Sequence, residues 1–203
     1  MGYTHYWEIK KTAPKKVWGK IIVDFKKLMD NMPETTNTAG GFSEKDPLFL
    51  GGCRYTQHPI VDDVQVFFNG SAVPSEKRKK DRNNWTDGDN DKLSHEVFYI
   101  YRIKKDNANF NCCKTARKPY DLMVCAFLIL AEYHAPKYYN FSSDGDYDEW
   151  YPAITFVSKF LGYDTREMVC KETDKNLKEE YKKWPVVSVQ IKKEKLEKLI
   201  KGT

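Results

Sequence analysis

The sequence predicts an α+β fold: a mostly antiparallel sheet packed with helices, one of them buried on every side. Three observations lead there. Several short stretches alternate between polar and apolar residues, as strands with one buried face do. One stretch, Val17 to Met32, places apolar residues at steps of three and four. A third, Leu122 to Ala131, is apolar throughout and leaves no polar face for water. Strands precede the later helices instead of alternating with them, which is the α+β order.

Length and composition narrow the classes. A chain of 203 residues sustains one sizeable core, so a single domain over residues 1–203 is expected. Hydrophobic residues at 40% and charged residues at 31% place it with globular chains and not disordered ones. The run Leu122–Ala131 is too short to cross a bilayer, which needs about 20 apolar residues, so no membrane partner is expected. A net charge of +5 permits nucleic-acid binding without demanding it. The opening MGYTHYWEIK alternates like a strand and lacks the apolar core of a secretion signal. Five cysteines, two of them adjacent, form neither a disulfide framework nor a zinc-ligand spacing. The sequence assigns no metal site and no cofactor, weak divalent binding stays open, and the thiols read as reduced and cytoplasmic.

The elements follow in chain order. Tyr3 to Lys10 is a strand with Tyr3, His5, Trp7 and Ile9 on one face. Thr12 or Ala13 caps an amphipathic helix that has Pro14 in its first turn and ends at Pro33. Its stripe is Val17, Trp18, Ile21, Ile22, Phe25, Leu28, Met29 and Met32, and its lysines at 15, 16, 20, 26 and 27 fall mainly outside that stripe. Residues 37–47 are loop. Leu48 to Leu50 is a short strand, and Asp63 to Phe68 a longer one that Asn69-Gly70 closes with a turn. Residues 71–94 form a long polar loop. His95 to Ile103 and Asn109 to Cys113 are strands joined by a hairpin link. Pro119 fits the first position of the buried helix, with Asp121 in its first turn, where the helix dipole favours a carboxylate. Residues 135–148 are loop. Asp148 to Leu161 is a helix closed by Gly162. Residues 163–203 form a helical extension, with Thr165 as a cap, helical turns at 173–183 and 193–201, and an edge strand from Pro185 to Ile191.

The stretch Phe110 to His134 carries the chemistry. Lys114, Thr115, Arg117 and Lys118 stand just ahead of a helix N-terminus, whose amides and dipole attract anions. Arginine grips a phosphate bidentately and lysine adds a point charge. The alternative is a set of basic residues on an exposed loop. Residues 114–121 do not form a Walker loop, because GxxxxGK is missing. His5 is either a hydrogen-bonded core histidine or, if it opens into the same cleft, a general acid or base. Glu96 is either a solvated strand residue or an orienting partner for Lys114 or Arg117. Asn69 is either a turn residue or an amide near a ligand. Trp7, Tyr99 and Tyr101 are aromatic surfaces on which a base can stack. Cys112 and Cys113 adjoin the cations, and packing is favoured over a thiol nucleophile because no partner histidine is evident. The aspartate clusters at 87–91 and 144–148 lack the glycine and glutamate of a calcium loop. Lys77 to Lys80, with Arg82 and Trp85, reads as a solvated loop or a clamp for nucleic acid.

The opening MGYTHYW and the segment FNCCKTARKPYD resemble an uncharacterised family of proteins from bacteriophages and large DNA viruses. The matching residues are Gly2 to Trp7, Asn69-Gly70 and Lys114 to Asp121, and Asn111 and Cys112 depart from that family's pattern. The resemblance implies a viral accessory origin and hence a place in the host cytoplasm. The expected function is binding of a small phosphorylated ligand, a nucleotide or cyclic nucleotide, in the manner of an anti-defence protein that sequesters a host signal. The alternatives are a phosphodiesterase or nuclease acting on the same ligand, and a module that binds nucleic acid or a host protein. Oligomeric state is not legible.

Overall fold

Alternation in the first strand organises the sheet that positions the site. In the computed structural model, residues 3–36, 46–52, 58–77, 92–105 and 109–165 are described. β1 (Thr4–Ile9) lies in the middle of a three-stranded antiparallel sheet, between β6 (Phe110–Lys114) and β7 (Tyr139–Ser143). Its inner face is the expected one: Tyr3, His5, Trp7 and Ile9 are all buried. The register sets His5 opposite Cys113 on one side and Ser143 on the other.

The second sheet is built on β4 (Gln65–Ser71), which pairs antiparallel with β2 (Phe49–Gly51), β3 (Ile60–Val61) and β5 (Phe98–Tyr101). Asn69-Gly70 is not the turn that its composition suggests. Both residues continue β4, with Asn69 opposite Gly51 and Gly70 opposite Leu50. The glycine answers to space: a Cβ on Gly70 would stand 2.1 Å from the Leu93 carbonyl oxygen and 2.7 Å from the Tyr120 ring. Asn69 is a buried clamp that donates to the His95 carbonyl and accepts from the Gly70 and His95 amides.

α1 (Lys15–Met29) follows its periodicity, burying Trp18, Ile21, Ile22, Phe25 and Leu28 while the five lysines stay exposed. α2 (Asp121–His134) is buried continuously from Asp121 to Glu132, as an all-apolar helix must be. It packs between α1 and α3 (Tyr147–Leu161). Phe127, midway along α2, meets Trp18, Phe25 and Phe98 with ring centroids 5.0 to 6.0 Å apart. Three further expectations shift. β5 and β6, read as a hairpin, pair with β4 and β1 respectively and lie in different sheets. Pro119 lies in a turn two residues ahead of α2. The stretch 135–148, read as loop, contains β7, whose Phe141 and Ser142 pair with Trp7 and Tyr6. Only Tyr139 of β7 is fully buried, so the strand carries little apolar alternation to betray it.

α3 begins with a capping box, Asp146 accepting from the Glu149 amide and Glu149 from the Asp146 amide, and ends at Gly162 in the left-handed region. The described residues thus form the expected α+β fold, with antiparallel sheets and three helices. Among them, no helix is long and apolar enough to cross a membrane. The turns and strand expected at 173–201, and residues 78–91 of the polar loop, lie outside the described residues.

Candidate functional site

Four separated segments converge on the first turn of α2. Asp121 Oδ1 lies 2.8 Å from His5 Nε2 and accepts the Thr115 hydroxyl at 2.5 Å. A carboxylate only accepts, so with Asp121 ionised it is His5 Nε2 that carries the hydrogen. His5 Nδ1 lies 3.0 Å from Ser143 Oγ, which accepts the Gly145 amide at 2.9 Å. The imidazole is fully buried and stands edge-on to the rings of Tyr3 and Trp150, so both its nitrogens and its plane are held. One turn along α2, Cys125 Sγ sits 3.6 Å from His5 Nε2 and 3.7 Å from Asp121 Oδ2.

Beside this network is a cavity of about 280 Å³. Asp121 and Cys125 form one wall, Pro152, Ala153 and Phe156 of α3 form another, and Arg117 and Glu149 flank it. Arg117 Nε donates to Glu149 Oε1 at 2.5 Å, and its guanidinium lies 4.3 Å from the centre of the Tyr3 ring. The bond to Glu149 pushes the guanidinium pKa further up, so it is always charged. Glu149 therefore serves twice, since its other oxygen closes the α3 capping box. The turn that aims Arg117 is strained: Ala116 and Arg117 have φ of 51° and 58°, the left-handed region that side chains with a Cβ rarely adopt.

Two hydroxyls on the cavity wall are buried without a hydrogen-bond partner, those of Tyr3 and Thr36. Such groups are uncommon, because burying a hydroxyl unpaired costs about 1–3 kcal/mol. The Tyr3 hydroxyl also acts on the Cys125 thiol, lowering its pKa against the larger effects of burial and Asp121. Burial first, then Cys125, Asp121 and Glu149, hold the Tyr3 phenol protonated against the opposing pull of Arg117. Burial and Asp121 likewise push the Cys125 thiol well up.

The structure gathers some of the expected residues here and distributes others. Arg117, Thr115 and His5 belong to the cluster or its cavity. The Lys118 ammonium donates to the Lys92 carbonyl, and the Lys114 amide to Glu96 Oε2, so Glu96 does touch the cationic turn, through its backbone. The anion site expected at the helix N-terminus is already closed. The amides of Asp121, Leu122 and Met123 donate to the carbonyls of Lys118, Pro119 and Tyr120, and the protein's own Asp121 carboxylate occupies the positive end of the dipole. Trp7 is only 1% exposed and packs on Phe98, so it offers no face for a base. Tyr99 and Tyr101 are half-buried and meet Phe67 on the second sheet; neither lines the cavity. Burial pushes the thiols of Cys112 and Cys113 up and not down, the opposite of what a nucleophile needs.

Tyr3, Thr36, Cys125, Ser143 and Glu149 are the participants that the sequence did not single out. Glu149 had a signal, the Asp146-x-x-Glu149 spacing of a capping box. Cys125 was hidden inside an apolar run. The fold and site together define an α+β protein with a cavity and a buried histidine–aspartate network at the start of its central helix. Comparison with protein-family models, with curated proteins and with solved structures returns no match.

Proposed function

We propose that this chain is a binding protein for a small phosphorylated ligand, held in the cavity beside α2. The observation that carries the reading is Arg117, a cation on strained backbone at the rim of a cavity whose wall holds two unpartnered hydroxyls. Strain of about 1–3 kcal/mol persists where the surroundings hold it, and it concentrates at binding sites. Arg117 supplies charge and planar donors for a phosphate, and Lys159 adds a second cation at the cavity. The apolar wall from Pro152, Ala153 and Phe156 suits the body of a base or a similar group.

The cavity's size favours a mononucleotide or something smaller. About 280 Å³ is at the low end of ligand pockets, which run from about 300 Å³ upward. Binding is favoured over hydrolysis because His5, the acid or base that the sequence suggested, is buried and outside the cavity lining, with both nitrogens engaged. In a virus-encoded chain such binding is sequestration of a host nucleotide signal.

Native mass spectrometry of the full chain against a panel of mononucleotides and cyclic dinucleotides tests this. An intact mononucleotide bound at one per chain is expected, weakened at least tenfold by Arg117→Ala and less by Arg117→Lys. Equal affinities for wild type and Arg117→Ala would overturn the reading. Release of a cleaved product would replace it with the enzymatic one.

A further inference from the structure

The geometry points to His5, Asp121 and Cys125 as a binding site for a divalent transition-metal ion of the zinc class, with its open coordination position facing the cavity. One donor atom from each of the three residues lies within 4.8 Å of the other two, and all three residues are buried. Imidazole, carboxylate and thiolate are the donors that zinc takes, and three protein ligands with one open position is its usual reactive arrangement. This inference stands apart from the proposed ligand, since it uses neither Arg117 nor the unpartnered Thr36.

The donor spacing fits. Tetrahedral zinc, with bonds of about 2.3 Å to sulfur, about 2.05 Å to nitrogen and about 2.1 Å to oxygen, places nitrogen about 3.5 Å and oxygen about 3.6 Å from sulfur. Cys125 Sγ stands 3.6 Å from His5 Nε2 and 3.7 Å from Asp121 Oδ2. The Asp121 oxygen that faces the thiol is Oδ2; the other oxygen, Oδ1, lies 2.8 Å from His5 Nε2 in a hydrogen bond of the metal-free protein that a bound ion would replace.

The surroundings complete the arrangement. A ligating histidine usually donates its other N–H to an acceptor that fixes its tautomer. His5 Nδ1 already faces Ser143 Oγ at 3.0 Å. Thr115 holds the Asp121 carboxylate from the other side. On binding, the imidazole proton moves to Nδ1 and is donated to Ser143, and the Cys125 thiol gives its proton to solvent. Asp121 and Cys125 line the cavity, so an ion has a path in and keeps a face exposed to whatever occupies it. The Tyr3 hydroxyl, on a side chain that is 1% exposed, lines the same cavity.

Cobalt substitution is the test. The full chain, stripped with chelator and titrated with Co²⁺, is expected to take up one equivalent, showing a near-ultraviolet thiolate-to-cobalt band that Zn²⁺ displaces. Cys125→Ser should remove that band, while Cys112→Ser and Cys53→Ser should keep it. Ser143→Ala, which leaves the three ligands intact, should weaken Zn²⁺ binding by about 10–100-fold. The circular dichroism of each variant establishes whether it is folded. If Cys125→Ser does not fold, the wild-type band and the Ser143→Ala shift decide. Failure of the folded wild-type chain to bind either ion, or a band that survives in folded Cys125→Ser, overturns the site.

Discussion

The two ends of α2 carry nearly the same device. At the N-terminal end, one oxygen of Asp121 is shared by His5 Nε2 and the Thr115 hydroxyl. At the C-terminal end, one oxygen of Asp24 is shared by His134 Nε2 at 2.7 Å and the Tyr163 hydroxyl at 2.8 Å. Each end sets one partner of the pair on the helix itself, a carboxylate at the first turn and a histidine at the last. What differs is the setting. The outer pair keeps side-chain exposures of 11% and 17% and is roofed by Tyr163, stacked on Tyr133. The inner pair is sealed, with a thiol as third neighbour and a cavity alongside. Similar hydrogen bonding thus serves two ends: the outer motif ties α1 to α2, and the inner one presents chemically versatile donors to a cavity.

The contrast can be broken by mutation, and the largest effect is expected at the inner pair. In metal-free protein, His5→Ala leaves the Asp121 carboxylate buried without its imidazole partner, at a cost of about 3–5 kcal/mol in denaturant unfolding. His134→Ala exposes its partner to water and should cost no more than about 1 kcal/mol. Similar losses at both ends would erase the distinction. Next in size is the strained turn that serves only the inner end. Ala116→Gly should stabilise the fold by up to about 1 kcal/mol by relieving a positive φ. A loss of stability there would mean that the backbone is not strained. Smaller again is the response to salt. Raising ionic strength to 1 M should reduce the His134–Asp24 coupling energy in a double-mutant cycle and leave the His5–Asp121 coupling nearly unchanged.

A separate effect is alkaline. Burial, then the bond to Asp24, pushes the Tyr163 phenol up to about 12. The fold favours the neutral phenol, so its contribution is complete below pH 10 and drains away as pH rises toward 12. Tyr163→Phe should flatten that part of the stability profile. If the wild-type loss persists in the variant, it arises elsewhere.

What the residues disclosed follows from how local each signal is. β1 and α1 announce themselves through periods of two and of three to four, and both bury the expected faces. α2 is legible as a buried helix because ten consecutive apolar residues leave no alternative. Its start is displaced because Pro119 and Tyr120 fit a preceding turn as well as a first helical position. Asn69-Gly70 misleads because the glycine meets a demand for space from Leu93 and Tyr120, which no local pattern encodes. The site is the least legible part. Its members lie 116 residues apart for His5 and Asp121 and 138 apart for His5 and Ser143, so only the sheet register and the packing of α2 on the sheet bring them together. Lys114 to Lys118 drew notice as charge, whereas Thr115 and Arg117 act through Asp121 and Glu149 respectively.

The central position of β1 also has a consequence for biosynthesis. The strand leaves the ribosome before both its neighbours, which are made more than a hundred residues later, at 110–114 and 139–143. At a translation rate of about 5–20 residues per second, it waits on the order of ten seconds with both edges unpaired. During that interval its Tyr3, His5, Trp7 and Ile9 face has no core to enter, and such an edge invites pairing with other chains. Contacts this distant also make for slow folding once the chain is whole. A nascent chain stalled before Tyr139 should therefore require a chaperone, whereas one that has passed Leu161 has every described partner of the site and should close around it unaided.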